Sequence, residues 1–321
     1  MKTPAISFLL LISCWLMLST ASFAQRPDFH IQRSFRPAAP FFVNDTTPNL
    51  KRVKLVGGIA GGGYVLATAY LGTVWYANQP LSDFHFFDDS REWQQMDKAG
   101  HALGGYTASR WMTDLFKWSG IPKRRAIWLG SASGFMVMNT IEVFDGFGEG
   151  WGFSWSDVGA NAVGASLSAL NYGLWHEERL QLKFSYLPSP YVGTDNPDFR
   201  RLFGTNPAEW LVKDYNGQVI WMSARVHSFL PEGNFKDRYP RWLNVAVGYG
   251  AQGLEGGYHD PLSGWQAREY RQWYFSLDID PSHIRTRYGW LNAALRVVNL
   301  IRIPLPSLEM DRNGVRVLPL R

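Results

Sequence analysis

Residues 55–76 read Leu-Val-Gly-Gly-Ile-Ala-Gly-Gly-Gly-Tyr-Val-Leu-Ala-Thr-Ala-Tyr-Leu-Gly-Thr-Val-Trp-Tyr and contain no charged side chain. About 20 such residues suffice to cross a bilayer as a helix. Glycine costs about 1 kcal/mol per helical position relative to alanine, so the repeated glycines need a structural reason. Close contact between helix backbones would provide that reason, because small residues allow helices inside membranes to approach each other closely. The stretch therefore predicts a helix that packs tightly against its neighbours.

Three more helical patterns follow within residues 51–183, at about 98–118, 124–144 and 157–178, and all are rich in small residues. We expect an antiparallel four-helix bundle associated with a membrane. A tight bundle in water is the alternative that the pattern leaves open. Residues 184–321 differ, because apolar and polar residues alternate in Leu243–Tyr249 and Trp273–Ile279, as in half-buried strands. With Val219–Met222 after an Asn-Gly turn and a helix at 288–299, they predict a small antiparallel β-rich region with one helix. The expected fold class is α+β.

The N-terminus predicts export. Lys2 precedes an apolar run and the small-residue sequence Ser22-Phe23-Ala24, which is typical of a cleaved signal peptide at residues 1–24. The alternative is a lipoprotein box, Leu11-Ile-Ser-Cys14, with Cys14 lipidated. Residues 25–50 are polar and proline-containing, which indicates a flexible leader.

Composition excludes several classes of protein. The 321 residues carry 32 Lys+Arg and 27 Asp+Glu, a net charge of +5, with 46% hydrophobic residues. This hydrophobicity argues against intrinsic disorder. The absence of basic runs argues against a nucleic-acid partner. The only cysteine is Cys14, so the rest of the chain has no disulfide and no thiol chemistry.

Antiparallel helices would give the bundle a basic pole and an acidic pole. Lys51, Lys54 and residues 117–125 fall at the basic end. The positive-inside rule would put that end in the cytoplasm, whereas a cleaved signal peptide puts Lys51 outside. A bundle that lies in or against a membrane from the periplasmic side is consistent with both, and the sequence does not say which membrane.

The acidic pole holds the candidate site. Residues three or four apart share a helix face, and the up-down order brings three helix ends together. The polar residues expected to converge there are Asp97, His101, Glu142, Asp145, Asp157 and Asn161. Aromatic residues 147, 151, 153 and 155 would cover them. Oxygen ligands with one imidazole suit a divalent cation, held by Glu142, Asp145 and Asp157. His101 would act as a general acid or base.

Each of these residues also has a structural interpretation. Asp97 is expected to cap its helix, and Ser154 with Asp157 matches a capping box. His101 and Glu142 would form a buried pair that fixes helix register. Asn161 would donate an interhelical hydrogen bond. The residue pattern does not decide between these interpretations and a catalytic or metal site.

Three ordered motifs resemble a known family. They are Glu92-Trp-Gln-Gln-Met-Asp-Lys-Ala-Gly-His101, Ile141-Glu-Val-Phe-Asp-Gly-Phe147 and Trp151-Gly-Phe-Ser-Trp-Ser-Asp-Val-Gly-Ala-Asn161. Together they resemble the YfiM-like predicted periplasmic lipoproteins of unknown function, and residues 213–218 and 246–251 resemble the longer, Bacteroidetes-type members. The spacing is also loosely similar to that of VanZ-like membrane proteins. The first resemblance implies an envelope location and no established reaction.

Two functions are expected from these observations. The first is a membrane-associated envelope protein that contacts lipid with its helical half and an envelope protein with its C-terminal half. The alternative is a membrane-associated, metal-dependent enzyme that acts on a lipid or cell-wall intermediate.

Overall fold

The computed structural model describes residues 47–70, 80–256, 268–284 and 286–321. The expected signal peptide and most of the leader lie outside these residues. So do residues 71–76 of the uncharged stretch.

The described residues form an α+β fold with nine α-helices and one six-stranded sheet. The helices are α1 (Leu50–Tyr70), α2 (Met96–Trp118), α3 (Lys123–Asp145), α4 (Trp155–Leu170), α5 (Pro197–Phe203), α6 (Pro207–Lys213), α7 (Val226–Phe229), α8 (Asn234–Arg238) and α9 (Gly289–Val298). The strands are β1 (Leu180–Tyr186), β2 (Gln218–Ala224), β3 (Leu243–Gln252), β4 (Tyr270–Ile279), β5 (Ser307–Asp311) and β6 (Gly314–Leu318). A 3₁₀ turn, Glu92–Gln95, leads into α2.

Helix α2 is the centre of the helical half and packs along both α3 and α4. Helix α1 packs beside the C-terminal part of α2, where Val56 is buried against Met112, Leu115 and Trp118. At the other end of α1, the hydroxyl of Tyr64 lies 2.8 Å from that of Thr140 on α3. α1 is therefore antiparallel to α2. Among the described residues, no helix combines the length and the apolar character that a membrane crossing requires.

Glycines set the spacing of α2, α3 and α4. A Cβ atom on Gly164 of α4 would collide with the carbonyl oxygen of Ala102 on α2, and one on Gly134 of α3 would collide with Ser109. Such close backbone contact is possible only without a side chain. The glycines of α1 differ, because a Cβ at Gly57 or Gly61 would meet nothing within 4 Å. The expectation of close packing therefore holds for α3 and α4, but these α1 glycines are not in such contacts.

The sheet is an antiparallel meander in which each strand pairs with the next, in the order β1 to β6. The strand patterns expected in β2, β3 and β4 form strands. Strands β1, β5 and β6 were not predicted from the sequence. Two boundaries also differ from the expectation. α4 ends at Leu170 and continues only as a single π-helical turn, Asn171–Trp175, rather than to Glu178. The expected boundary after Lys183 falls inside β1, because the chain becomes extended at Leu180.

Candidate functional site

Three helix ends bring polar side chains together at one end of α2. The imidazole Nδ1 of His101 on α2 lies 3.1 Å from Asn161 Oδ1 on α4 and 3.4 Å from Glu142 Oε1 on α3. On its other side, Nε2 lies 3.8 Å from Asp97 Oδ1 and 3.9 Å from Asp157 Oδ1. His101 is therefore at the centre of the group.

Lys98 supplies the positive charge of this group. Its Nζ lies 2.6 Å from Asp89 Oδ2, 2.9 Å from Asp97 Oδ2 and 2.8 Å from Asp157 Oδ1. The hydroxyls of Ser154 and Ser156 donate to the other oxygen of Asp89 at 2.6 and 2.7 Å. We call the set Asp89, Asp97, Lys98, His101, Glu142, Asp157 and Asn161 the acidic cluster.

Two carboxyls of the acidic cluster, those of Glu142 and Asp157, have a raised pKa and so bind a proton more readily than usual. Burial, followed by the charges of Asp157, Asp145 and Asp97, raises the pKa of Glu142 to about 9. Burial and the charge of Asp97 raise the pKa of Asp157 to about 7, against the opposing charges of His101 and Lys98. Because desolvation penalises the charged form, Glu142 is neutral at neutral pH.

The other two carboxyls are ionised. Burial opposes the ionisation of Asp89, but hydrogen bonds from Asp157, Lys98 and Ser154 lower its pKa to about 2. Burial also opposes the ionisation of Asp97, and the charges of His101 and Lys98 outweigh it, so the pKa of Asp97 is lowered. The acidic cluster thus has two ionised carboxyls, Asp89 and Asp97, and one protonated carboxyl, Glu142. Asp157 is intermediate, because its pKa is about 7.

Among the buried atoms of the acidic cluster that make no hydrogen bond within the described part of the chain are Glu142 Oε1 and Asn161 Nδ2. Both residues are almost fully buried. A buried polar atom without a partner costs roughly 1–3 kcal/mol. The acidic cluster therefore has unused hydrogen-bonding capacity.

The capping interpretation is correct at one helix end. The Ser154 hydroxyl accepts a hydrogen bond from the backbone N–H of Asp157 at 3.1 Å and so caps α4. Asp97 does not cap α2, whose N-cap is Gln95 without a side-chain bond. Instead, Asp97 accepts a hydrogen bond from the hydroxyl of Tyr215 at 2.7 Å.

The residues best placed to hold a cation are Asp97, His101 and Asp157, whose ligand atoms all lie within 4.8 Å of one another. Of the expected metal ligands, Asp157 belongs to this group and Glu142 lies beside His101. Asp145 lies nearly one turn beyond Glu142, is half-buried, and acts on it through its charge. Any cation would compete with the ammonium of Lys98 for two of the three ligands.

Aromatic side chains lie next to the start of α4. The ring of Phe153 lies 5.1 Å from Trp155 and 5.6 Å from Phe86, and Phe84 lies 5.2 Å from Phe147. Phe86 and Trp155 are mostly exposed, so these rings form a surface patch. The segment before α2 contributes to the patch, which the sequence analysis did not anticipate.

Lys98 belongs to the site and Tyr215 borders it, and neither residue was predicted from the sequence. Lys98 could have been predicted, because a group of carboxylates at one helix end requires a countercharge and Lys98 follows Asp97 directly. Tyr215 could not, because no spacing rule connects it to Asp97, 118 positions away in the sequence.

A second buried polar group lies toward the other end of α2, where it meets the C-terminal half. Arg110 pairs with Glu178, and Arg296 of α9 lies 2.5 Å from Asp114 and 3.5 Å from Glu178. The hydroxyl of Tyr172 donates to Asp114 at 3.1 Å. We call Arg110, Asp114, Lys117, Tyr172, Glu178 and Arg296 the interface cluster.

Comparison with known proteins finds one family. Residues 83–173 match the family model described as predicted periplasmic lipoprotein (DUF2279). Neither the curated proteins nor the solved structures yield a match. The description agrees with the expected export to the periplasmic side, and the similarity to VanZ-like proteins stays a prediction. Residues 83–173, which contain α2 and the whole acidic cluster, are thus similar to a predicted periplasmic lipoprotein family of unknown function.

Proposed function

We propose that this protein is an exported envelope protein whose helical half lies in or against a bacterial membrane from the periplasmic side. The observation that carries the proposal is the absence of charge on the outer surface of three helices. Residues 55–70, 126–141 and 158–175 contain no charged side chain. Exposed apolar residues on these stretches include Leu66, Trp128, Met136, Val163 and Leu174. A helix that faces water normally carries charges on its outer side.

The basic pole offers a matching contact for lipid headgroups. Arg124, Arg125, Trp128 and Leu129 line a shallow surface hollow of about 460 Å³ at the start of α3. Trp128 is 67% exposed. Tryptophan and basic residues are enriched where protein meets the membrane surface, and anionic headgroups attract exposed Lys and Arg.

Flotation with vesicles of phosphatidylethanolamine and phosphatidylglycerol tests this proposal. We expect the mature chain to float with the vesicles and to stay bound in high salt, because salt screens surface charges but not apolar burial. A double variant, Met136→Lys with Val163→Lys, should lose most of the bound fraction. Thr205→Lys, at an exposed position of the other half, is the matched control. Complete release of the wild type by salt would overturn an embedded bundle.

The second candidate function is a metal-dependent enzyme acting on a lipid or cell-wall intermediate. The specific observation that favours it is the compact group of Asp97, His101 and Asp157 ligand atoms next to the protonated Glu142. A divalent cation would bind the first three, while Glu142 would donate a proton as a general acid.

Thermal unfolding with magnesium, calcium, manganese or zinc tests the metal site. A ligand that binds only the folded protein raises its stability. Binding also displaces the proton from Asp157, so the gain should be larger at about pH 8 than at about pH 6. Asp157→Asn should abolish the gain, and Lys98→Met should enlarge it by removing the competing ammonium. If none of these metals shifts the melting curve, the acidic cluster is not a metal site.

A further inference from the structure

One face of the sheet is open and carries exposed apolar side chains. On β3 to β6, nine apolar side chains of this face are 41–72% exposed, and no charged residue of this face lies between the strand ends. They are Val245, Val247, Trp273, Phe275, Leu277, Leu308, Met310, Val315 and Val317. The strand register places them in continuous rows, such as Val247, Phe275, Leu308 and Val317. Nine contiguous exposed apolar residues are far more than a water-facing sheet normally shows.

The opposite face of the sheet is closed, and it combines buried polar side chains with an apolar cluster of Val219, Trp221, Ala246 and Tyr274. Lys183 Nζ lies 2.7 Å from Asp278 Oδ2, and the Ser223 hydroxyl donates to the same oxygen at 2.6 Å. All three residues are buried. The guanidinium of Arg302 covers this face 3.8 Å above the ring of Trp221. The sheet therefore buries charged and polar side chains on one face and leaves an apolar surface of β3 to β6 exposed on the other, the reverse of a sheet whose exposed face is in contact with water.

The helical half packs on the same apolar face. Met96, at the start of α2, is buried against Ile220 of β2 and Ala251 of β3, and both residues belong to the face that carries Val245 and Val247. The bundle packs against β1, the start of β2 and the end of β3, whereas Met222 of β2 is 47% exposed. The uncovered apolar strands thus lie beside the bundle on the same side of the sheet.

We propose that the uncovered apolar face of β3 to β6 rests on the acyl chains of the bilayer that holds the helical half. This inference rests on the proposed function and extends it to the C-terminal half. A bilayer covers the sheet face and the charge-free helix surfaces together, whereas a second copy bound through the sheet would leave the helices bare. Burial of about 5–10 Å, as for other surface-bound elements, keeps the outer edge of β6, which pairs with no other strand of the described residues, at headgroup level, where water satisfies its backbone groups.

The position of charged residues fits this orientation. Arg271 lies at the beginning of β4, and Arg312 lies in the turn between β5 and β6. Both are exposed and border the apolar rows. Basic side chains at the edge of an apolar surface can reach headgroups while their stems remain in the apolar layer.

Single-cysteine labelling tests the inference. Cys14 lies in the expected signal peptide, so a chain that starts at Gln25 has no cysteine of its own. An environment-sensitive fluorophore is attached at Val317→Cys and Leu308→Cys on the sheet, Met136→Cys on α3, and Asp195→Cys as the exposed control. With phosphatidylethanolamine and phosphatidylglycerol vesicles, brominated lipids should quench the sheet and helix labels severalfold more than the control label. Iodide in the water should show the reverse order.

The outcomes separate the two proposals. If brominated lipid quenches the helix label and iodide still quenches both sheet labels, the inference is wrong and the proposed function stands. If no label is quenched by lipid, both are wrong. If the sheet labels are shielded without vesicles and the protein has the mass of a dimer, a second copy is the occupant and the inference is overturned. Val317 lies on the edge strand and is 72% exposed, so its replacement should not disturb folding.

Discussion

The two buried polar clusters lie toward opposite ends of the same helix and differ in charge balance. In the acidic cluster, four carboxyls share Lys98 and His101. In the interface cluster, two carboxyls share Arg110, Lys117 and Arg296. Glu142 and Glu178 are both almost fully buried. Yet the pKa of Glu142 is raised to about 9, whereas Arg110 and Arg296 outweigh burial and lower that of Glu178 to about 2.

This contrast shows that countercharge, and not burial alone, decides the ionisation state of a buried carboxyl. The interface cluster is a compensated network that joins α2 to α9, so its role is explained by structure. The acidic cluster keeps a neutral acid and has too little countercharge for its four carboxyls, which favours binding of a proton or a ligand.

The largest effect should come from the interface cluster. Glu178→Gln leaves the buried Arg110 without its ion-pair partner, whereas Arg296 keeps Asp114, so we expect a loss of about 3–5 kcal/mol in the free energy of unfolding. The pKa of Glu178 is lowered, so its stabilising contribution is present above its ordinary pKa and disappears as the pH falls towards 2. Denaturant unfolding over a range of pH measures both.

Glu177→Gln is the matched control for this variant. Glu177 pairs with Arg179 at 3.0 Å and its side chain is 41% exposed, so its loss should cost no more than about 1 kcal/mol. Equal losses in the two variants would contradict the distinction between a compensated buried network and a surface pair.

A smaller effect is expected where the acidic cluster meets the C-terminal half. Tyr215→Phe removes the hydrogen bond to Asp97 and should destabilise the protein by about 1.5–3 kcal/mol at neutral pH. The lowered pKa of Asp97 means that this loss fades as the pH falls and Asp97 takes up a proton. The variant keeps the ring contact with Trp93, so a loss that is independent of pH would contradict the assignment to a hydrogen bond with ionised Asp97.

The smallest effect has the opposite sign. Glu142→Gln imitates the protonated acid and should stabilise the metal-free protein by about 1.4 kcal/mol or more near pH 8, the equivalent of at least one pKa unit. Because the pKa of Glu142 is raised, its neutral form contributes stability that is complete below its ordinary pKa and is lost as the pH rises to 9. Melting temperatures from acid to alkaline pH should therefore fall less steeply in the variant. A destabilised variant at alkaline pH would mean that Glu142 is ionised and paired.

Helical spacing and an antiparallel order of the helices were enough to predict that His101, Glu142, Asp157 and Asn161 lie together, because spacing sets the helix face and the antiparallel order sets which helix ends meet. Strand alternation identified β3 and β4 for a similar reason. Strand alternation did not predict β1, because its polar residues Gln181 and Lys183 are buried, whereas polar residues of a strand are expected to face water. Contacts such as Asp97 with Tyr215 depend on how two halves pack, and local patterns carry no information about that.

Asn171 has a consequence for how the chain unfolds. Its side-chain amide donates to the carbonyl of Leu180 at 2.7 Å and accepts from the backbone N–H groups of Arg179 and Leu180, at 2.9 and 3.1 Å. One buried side chain thus ties the end of α4 to the first strand of the sheet. The matched family segment ends at residue 173, just past this tie. Amide protons of α4 and β1 should therefore exchange with solvent in a single cooperative opening, and residues 83–173 alone should lose protection along the last turns of α4.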